Sequence, residues 1–275
     1  MHNIKHPHFK EGRILKIEML ENFRDYPRDV LDVYNADMSD GIVCGLTPAV
    51  DESIITFSKG IVKHKGEVYV FHDPTVVEYS TTETDVAVVL NFHDKVESKD
   101  YTTYPVEILL MNLDDLSNQD DVPLGSNYFQ KSQIELGRFK LKSGAYLRSD
   151  YQDLYDFTTE YNTINVVHVL YAGFGQPTLS HLILKYFARE ALNVMAGNNS
   201  GLDMNFCMLC LNSRRIEREV ILNYIAFKHD KDVASLAELR NADIHTFLVK
   251  ILDDIKKENH GDRKRQSSRK KVIID

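Results

Sequence analysis

The chain has 275 residues, of which 43% are hydrophobic and 27% charged, and it carries a formal net charge of −8. This length and composition are typical of a soluble globular protein with one or two domains and a sizeable core. Every hydrophobic run falls short of the roughly 20 residues that a membrane span needs, and the N-terminus lacks the apolar region of a secretory signal. The three cysteines favour a reducing compartment over a disulfide framework, so we expect a cytoplasmic protein.

The segment before the first glycine-bearing turns has a mixed pattern. Residues 13–19 alternate well enough to predict a first strand, after a flexible N-terminus at residues 1–12. Residues 22–34 hold several aromatic and aliphatic side chains around Pro27. Because proline is favoured in the first helical turn, this pattern predicts an irregular arm or a short helix that begins at Pro27.

The clearest structural signal lies in residues 38–79. Short runs rich in Val, Ile, Phe and Tyr are separated there by turns at residues 39–41, 58–60 and 64–66, each of which ends in glycine. Glycine adopts positive φ without steric cost, so this spacing predicts a small antiparallel β-module. Further strands are predicted at residues 85–92, 106–112 and 133–141. About seven strands would form a sandwich or barrel, with an exposed acidic loop at residues 114–127 and a β-domain over residues 13–145.

The pattern changes to helical periodicity near residue 149, which places a domain boundary at residues 143–150. We predict a bundle of about four helices over residues 149–257 and an α+β fold for the whole chain. The first helix is expected to be capped by Ser149 and Asp150, and it is followed by an apolar segment at 162–170 that is either helix or strand. A second helix should run from Gln176–Pro177 to Gly197, and a third over residues 203–227. The last helix should begin at the capping-box pattern of residues 235–238.

Residues with reactive side chains do not form a recognisable catalytic motif. Cys207 and Cys210 have CxxC spacing, but they lie within a helical pattern and lack further ligands for zinc, which favours core packing. His64, His72 and His93 lie beside predicted turns, where a structural role is more common than a ligating or pH-sensitive one. We therefore expect no catalytic residues, no metal site and no cofactor.

The charge is distributed unevenly along the chain. Eight basic and three acidic residues give residues 256–275 a net charge of +5, which leaves −13 for the remaining 255 residues. The low hydrophobicity of residues 258–275 predicts a disordered basic tail, whose last residues, 272–275, could add a strand to the sheet edge of a neighbouring molecule. Six residues of this tail are candidates for phosphate contacts: Arg263, Lys264, Arg265, Arg269, Lys270 and Lys271.

Two sets of side chains are candidates for protein interfaces. The β-module and its preceding arm offer a docking surface, because turns on a rigid scaffold and exposed aromatic residues often bind partners. Its candidate residues are Phe23, Tyr26, Tyr34, Asp40 and Lys65, although the three aromatic residues could instead close the end of the sandwich. The helical part offers more apolar surface than one bundle buries, which predicts a homo-oligomer. Its interface candidates are Leu182, Tyr186, Phe206, Tyr224 and Phe247, with Leu209 and Phe227 beside them.

The order of these elements resembles a known family. The glycine-punctuated hairpins at residues 54–71 are similar to those of phage tail and baseplate proteins. Residues 12–23, which lead into the strands, together with the β-then-α order up to about residue 255, resemble a shortened TssK, a baseplate component of type VI secretion systems. In that family an N-terminal domain attaches to the baseplate, a helical bundle trimerises, and a further C-terminal domain contacts a membrane complex. This chain has a basic tail in place of that last domain.

The resemblance implies a non-enzymatic structural adaptor of a phage-tail-like or contractile injection assembly. It would be a homo-oligomer, with a trimer favoured, and its partners would be other baseplate or tail proteins within an assembled particle. Two alternatives stay open. One is an accessory nucleic-acid-binding protein of a mobile element that acts through the basic tail, and the other is an enzyme without a local signature.

Overall fold

A computed structural model describes residues 5–80, 82–113, 132–195 and 201–269. Within these ranges the chain begins with a long helix, α1 (Ile17–Tyr34), and continues into antiparallel strands and then into helices. The prediction of a strand at residues 13–19 and of a helix start at Pro27 is therefore wrong, because Pro27 lies inside α1. The alternation of residues 13–19 is too short to distinguish a strand from the apolar stripe of a helix.

Eleven strands follow in the described part of the chain: β1 (Gly41–Gly45), β2 (Pro48–Asp51), β3 (Ile54–Phe57), β4 (Gly60–His64), β5 (Glu67–Phe71), β6 (Thr75–Glu78), β7 (Thr82–Phe92), β8 (Val96–Glu97), β9 (Thr102–Thr103), β10 (Val106–Asn112) and β11 (Gln133–Leu141). They pair in the orders β1-β4-β5, β2-β3-β6, β10-β7-β11 and β8-β9, all antiparallel. The antiparallel β-module is thus confirmed, whereas a closed barrel is not found among these strands.

A segment of irregular backbone joins the sheets to the helices. The helix predicted after Ser149 is not present, since only a single 3-10 turn forms at Tyr155–Thr158 and the Ser149 hydroxyl accepts a hydrogen bond from the Val50 amide. Residues 162–170 are neither a helix nor a regular strand. They pair with their neighbours only through isolated bridges, such as Arg138 with Asn165.

Four helices complete the described chain: α2 (His181–Val194), α3 (Gly201–Asn212), α4 (Arg218–His229) and α5 (Asn241–Arg269). Helix α2 begins later than predicted, because Thr178 forms a reciprocal pair of backbone hydrogen bonds with Tyr171. The predicted helix at 203–227 is interrupted between α3 and α4. The hydroxyl of Thr178 donates to the carbonyl of Ile216 in this break, at 2.6 Å.

The last helix also differs from its prediction. The capping-box segment forms a 3-10 turn, Val233–Leu236, capped by the carboxylate of Asp232, and α5 begins only at Asn241. Asn241 is buried, where its amide donates to the carbonyl of Val169 and its Oδ1 accepts from the guanidinium of Arg218. Helix α5 then continues to Arg269, through residues 258–269 where the composition predicts disorder. Lys, Arg, Gln and Glu have good helix propensity, so a packed helix extends readily through them.

The hydrophobic core is one continuous cluster that runs from the strands into the helices. Phe57 and Phe139 bury their rings on the sheet side of this cluster, and Phe157 and Phe187 bury theirs on the helical side. A cut at residues 143–150 would separate parts that share this core, so the two-domain division stays a prediction. The acidic loop at 114–127 and the helix stop at Gly197 lie outside the described residues.

Candidate docking surface

The C-terminal end of α1 is attached to the sheet by a buried lysine. The Lys63 ammonium, on the central strand β4, donates to the carbonyl oxygens of Asn35, Ala36 and Met38 at 2.6, 2.8 and 2.6 Å. Lys63 is only 6% exposed. These residues follow Tyr34, the last residue of α1, so the ammonium binds the turn just beyond the helix, where the negative end of the helix dipole favours a cation. This lysine therefore fixes where α1 leaves the sheet.

The hairpin turn beyond Lys63 is also internally braced. Lys65 and Gly66 both have positive φ, as a two-residue turn between β4 and β5 requires. The Lys65 amide donates to both carboxylate oxygens of Asp40, each at 3.0 Å. The structure thus brings the candidate residues Asp40 and Lys65 together. Asp40 serves the turn, while the Lys65 side chain stays exposed.

His64 lies between these two contacts and is buried. Its ring stacks on Phe92 with centroids 4.2 Å apart, and neither ring nitrogen has a hydrogen-bond partner among the described residues. The carboxylate of Asp40 is 3.8 Å away. Burial lowers the pKa of the imidazole, which outweighs the opposing effect of Asp40. The structural interpretation of His64 is therefore supported, with an acid-sensitive ring at the centre of the module.

Helix α1 itself buries no side chain in this chain. Phe23, Tyr26 and Tyr34 are 66%, 53% and 75% exposed, so they do not close the end of the sheet. We call residues 5–34 the N-terminal arm. Its exposed large hydrophobic residues are Phe9, Ile14, Leu15, Ile17, Leu20, Phe23, Tyr26, Val30, Leu31, Val33 and Tyr34. Contiguous exposed apolar surface of this kind marks an interaction site.

The arm is poorly stabilised within one chain. Pro27 removes a backbone hydrogen bond from the middle of α1 at a cost of about 3 kcal/mol. Isolated helices of this length are marginal in water without tertiary packing. Inside the arm, Phe9 packs edge-on against Phe23 and His6 against Tyr26. A partner that covers the apolar face of α1 would supply the missing stabilisation.

A groove separates α1 from the edge of the first sheet. We call it the β5 groove; it has a volume of about 910 Å³ and is lined by residues of α1, by residues 67–72 and by residues of the 101–104 segment. The Arg28 guanidinium, one of the lining groups, lies 3.4 Å from the Glu67 carboxylate and 3.5 Å from the Tyr104 hydroxyl.

The predicted oligomer interface divides into buried and exposed side chains. Phe206 and Tyr224 are wrong candidates, because their rings stack 3.9 Å apart in the core and the Tyr224 hydroxyl donates to Asp203. Leu182, Tyr186 and Phe247 are partly buried against the same core. Leu209 and Phe227 are exposed, as are two further residues of α3 and α4, Met208 and Val220. The apolar surface of the helical part therefore lies on the outer side of α3 and α4.

The remaining predicted groups have simpler outcomes. Cys207 and Cys210 are unpaired and buried in the core, as predicted, and burial raises the pKa of each thiol to about 12. Arg218 is buried, and its guanidinium donates to the Oδ1 of Asn241. Lys270 and Lys271 lie outside the described residues, as do the side chains of Arg263, Lys264, Arg265 and Arg269.

Sequence reasoning missed Lys63, although one signal was available. Lys63 follows Ile61 and Val62 in a strand flanked on both sides by other strands, where a lysine needs a buried partner. The described residues do not bring three His, Cys, Asp or Glu side chains together in an arrangement that could hold a metal ion. Over the same ranges, each helix is too short or too polar to cross a lipid bilayer.

No protein-family model matches the sequence, and no curated protein matches it. One solved structure, a chain of the type VI secretion TssK–TssF–TssG baseplate subcomplex, aligns with 93% of this chain and 100% of its own at 10% identity and a TM-score of 0.37. The crystal structure of TssK aligns with 94% of this chain and 69% of its own, at 10% identity and a TM-score of 0.35. Both are structures that contain TssK.

Replacing Lys63 with Met should loosen α1. The substitution removes the ammonium from three backbone carbonyls. The carbonyl of Asn35 keeps the Met38 amide as a donor, and each buried group that is left unsatisfied costs about 1–3 kcal/mol. We expect urea denaturation to show a loss of about 3 kcal/mol in the free energy of unfolding, with faster amide exchange at residues 31–38. The matched control is Lys65→Met, which keeps the backbone contact to Asp40 and should stay within about 0.5 kcal/mol of the wild type. Equal losses in both variants would contradict the anchor.

His64 should make stability depend on pH. Its pKa is lowered in the folded chain, so the unfolded chain binds the proton first and stability falls as the pH drops below about 6.5. His64→Phe keeps a stacked ring on Phe92 without a titrating group. When the pH is lowered from 7 through 6 to 5, the free energy of unfolding of the His64→Phe variant, measured in urea, should therefore fall less than that of the wild type. His72→Gln, on the exposed loop after β5, should follow the wild-type profile, and an unchanged profile for His64→Phe would contradict the assignment.

Proposed function

We propose that this protein is a non-enzymatic structural adaptor of a phage-tail-like contractile assembly, and that its N-terminal arm docks onto another baseplate or tail protein. The observation that carries the proposal is that α1 buries no side chain in its own chain while its aromatic residues face solvent. An arm of this composition is maintained only where a second surface covers it.

The arm has the composition of an interface core. Phe23, Tyr26 and Tyr34 are large and have few rotatable bonds, so they bury much area at a small entropic cost. Burying one such side chain contributes about 1.5–3 kcal/mol. The five acidic residues of α1 share the helix face opposite its apolar stripe, so that stripe is available to a partner.

The attachment of the arm suits an adaptor. Lys63 fixes the C-terminal end of α1 to β4, and the turn at Lys65 is braced by Asp40. The arm therefore leaves a defined point of a rigid β-module, as binding segments on a scaffold do. The order of elements in the sequence, which resembles TssK, supports a baseplate as the larger assembly.

The helical part is proposed as the site of self-association, most simply in a trimer. The exposed apolar residues of α3 and α4 are Met208, Leu209, Val220 and Phe227. They are not part of the core cluster to which α2, α3, α4 and α5 all contribute. Burial of this face between copies would leave the N-terminal arms free to bind the particle.

The docking role can be tested by affinity purification from the native cell. The wild-type chain should recover sheath, tube and wedge proteins, whereas Phe23→Ala with Tyr26→Ala should lose them. Loss of one aromatic anchor, at about 2 kcal/mol, reduces affinity about 30-fold. The melting temperature should be unchanged, because neither ring is buried.

The matched control is Tyr146→Ala, which removes a ring that is 73% exposed outside the arm. It should recover the same proteins as the wild type. The complexes should survive raised salt, since apolar burial drives them, whereas nucleic acid bound through the basic tail would dissociate steeply. Recovery by the double variant, or recovery of nucleic acid alone, would refute the adaptor proposal.

Self-association is tested by sedimentation at micromolar concentration. The wild type should sediment as an oligomer, and Leu209→Asp with Phe227→Asp should shift it to the monomer, because two charges would have to be buried in the interface. Tyr146→Asp, at a 73% exposed position outside the helices, should leave the oligomer intact. A monomeric wild type would rule out this interface.

A further inference from the structure

A second cavity lies where the end of α1, the first strands and the helices meet. It has a volume of about 810 Å³ and is bounded by the end of α1, by strands β1 and β2, by the start of α2 and by the connection between α3 and α4 at residues 213–217. Small-molecule sites commonly enclose about 300–1,000 Å³. We call it the basic cavity, because its charged lining residues are Lys185, Arg214, Arg215 and Glu217.

The positive charge of the basic cavity is not cancelled within its lining. Glu217 carries the one carboxylate found there among the described residues, and both of its oxygens are engaged. Its Oε1 accepts from the Arg215 guanidinium at 2.9 Å, and its Oε2 accepts from the Phe174 amide at 2.8 Å. Lys185 and Arg214 form no ion pair within the described part of the chain. Two cations are therefore left over, although the whole chain has a net charge of −8.

The start of α2 adds further hydrogen-bond donors to the basic cavity. His181 and Lys185 are four residues apart, so they lie on the same side of α2, and both line the cavity. Ser180 precedes the helix, but its side chain makes no capping hydrogen bond within the described structure. The amides of the first turn therefore lack the usual side-chain acceptor. Such amides, together with the positive end of the helix dipole, favour a phosphate group.

Two polar side chains of the lining have buried atoms that lack hydrogen-bond partners in the described ranges. Asn35 is 2% exposed, and its Oδ1 accepts no hydrogen bond. Both ring nitrogens of His181 are also unpaired. Burial, with a smaller effect from Lys185, lowers the pKa of this ring, so it is neutral near pH 7 and keeps one N–H to donate. Unpaired buried groups are rare in folded proteins, and a bound molecule is one of the ways in which they are satisfied.

We propose that the basic cavity binds a small phosphate ester. The phosphate lies between Lys185, Arg214 and the first amides of α2, because its oxygens accept hydrogen bonds from donors on several sides. The uncharged part of the ester packs against the apolar lining, which includes Leu31, Val43, Pro48, Leu182 and Leu211. This site goes beyond the adaptor role and does not depend on it. Because α1, α2 and the α3–α4 connection all border the cavity, the bound ester holds these three parts together.

Titration calorimetry of the full chain at constant ionic strength tests the site, with phenyl phosphate as the ester. Benzoate is the matched carboxylate, since it has the same ring and a different anionic group. Phenyl phosphate should bind about tenfold more tightly than benzoate, because phosphate carries more charge and one more acceptor oxygen. Inorganic phosphate should compete with phenyl phosphate for the same site.

Three matched variants test the cations. Lys185→Met and Arg214→Met each remove one charge from the cavity and should weaken the binding of phenyl phosphate about tenfold. Arg189→Met removes an exposed cation of α2 that does not line the cavity, so it should bind as the wild type does. Neither Lys185 nor Arg214 leaves a carboxylate unpaired in the described residues when it is replaced, so the melting temperatures should stay close to that of the wild type.

Amide exchange locates the bound ester. Phenyl phosphate should slow exchange at residues 181–183 in the wild type and in Arg189→Met, and it should have less effect in Lys185→Met. Exchange in the hairpin of β4 and β5, which does not border the start of α2, serves as the internal control.

Three results would overturn the proposal. Equal affinities for phenyl phosphate and benzoate, or tighter binding of benzoate, would mean that the cavity does not select phosphate. Binding that Lys185→Met and Arg214→Met leave unchanged would place the ester elsewhere. Absence of binding to the wild type would mean that the cavity does not take such an anion. None of these results depends on the recovery of baseplate proteins, so failure here is distinct from failure of the adaptor role.

Discussion

The contact between the Lys63 ammonium and the end of α1 is the interaction on which the presentation of the N-terminal arm depends. A buried ammonium is tolerated only when its donors are satisfied, and three backbone carbonyls satisfy this one. The same contact holds the turn that follows α1 against β4, so it fixes where the arm joins the sheet.

The four residues after Val62 have three different tasks in a very small space. Lys63 holds α1, His64 fills the core against Phe92, and Lys65 with Gly66 turns the chain into β5. Glu67 then meets Arg28 of α1 across the groove. Because these tasks are adjacent in sequence, a change in the hairpin affects the arm, the core and the groove together.

The strands could be predicted from the sequence because their signals are local. β-Branched runs and a glycine at positive φ, such as Gly66, are sufficient for a hairpin. The signals that determine where the helices end are less local. Residues 213–217 contain neither glycine nor proline, and the helix is interrupted there because Thr178, far away in sequence, binds the Ile216 carbonyl. Pro27 led to the opposite error. Proline is favoured at the start of a helix, so it predicts a helix that begins there, but in the structure it lies inside a helix that is exposed to water.

The candidate docking surface, like the fold, could be predicted only in part from the sequence. Exposed aromatic residues in the arm could be proposed from their clustering, and the structure leaves Phe23, Tyr26 and Tyr34 uncovered. Phe206 and Tyr224 look alike in sequence, yet they are stacked in the core, because an apolar residue on a helix does not reveal which neighbour covers it. Lys63 could be recognised only once its strand was known to be central.

The one-sided attachment of α1 also has a mechanical consequence. An 18-residue helix is about 27 Å long, and the Lys63 contact holds the chain just beyond the last residue of this one. A load applied to its free end acts through that length as a lever, and the hydrogen bonds of a single ammonium group receive most of the torque. Arg28, with its two long contacts near the middle of the helix, resists rotation only weakly. Under tension the arm would hinge at Asn35 before the sheets or the helical core yielded.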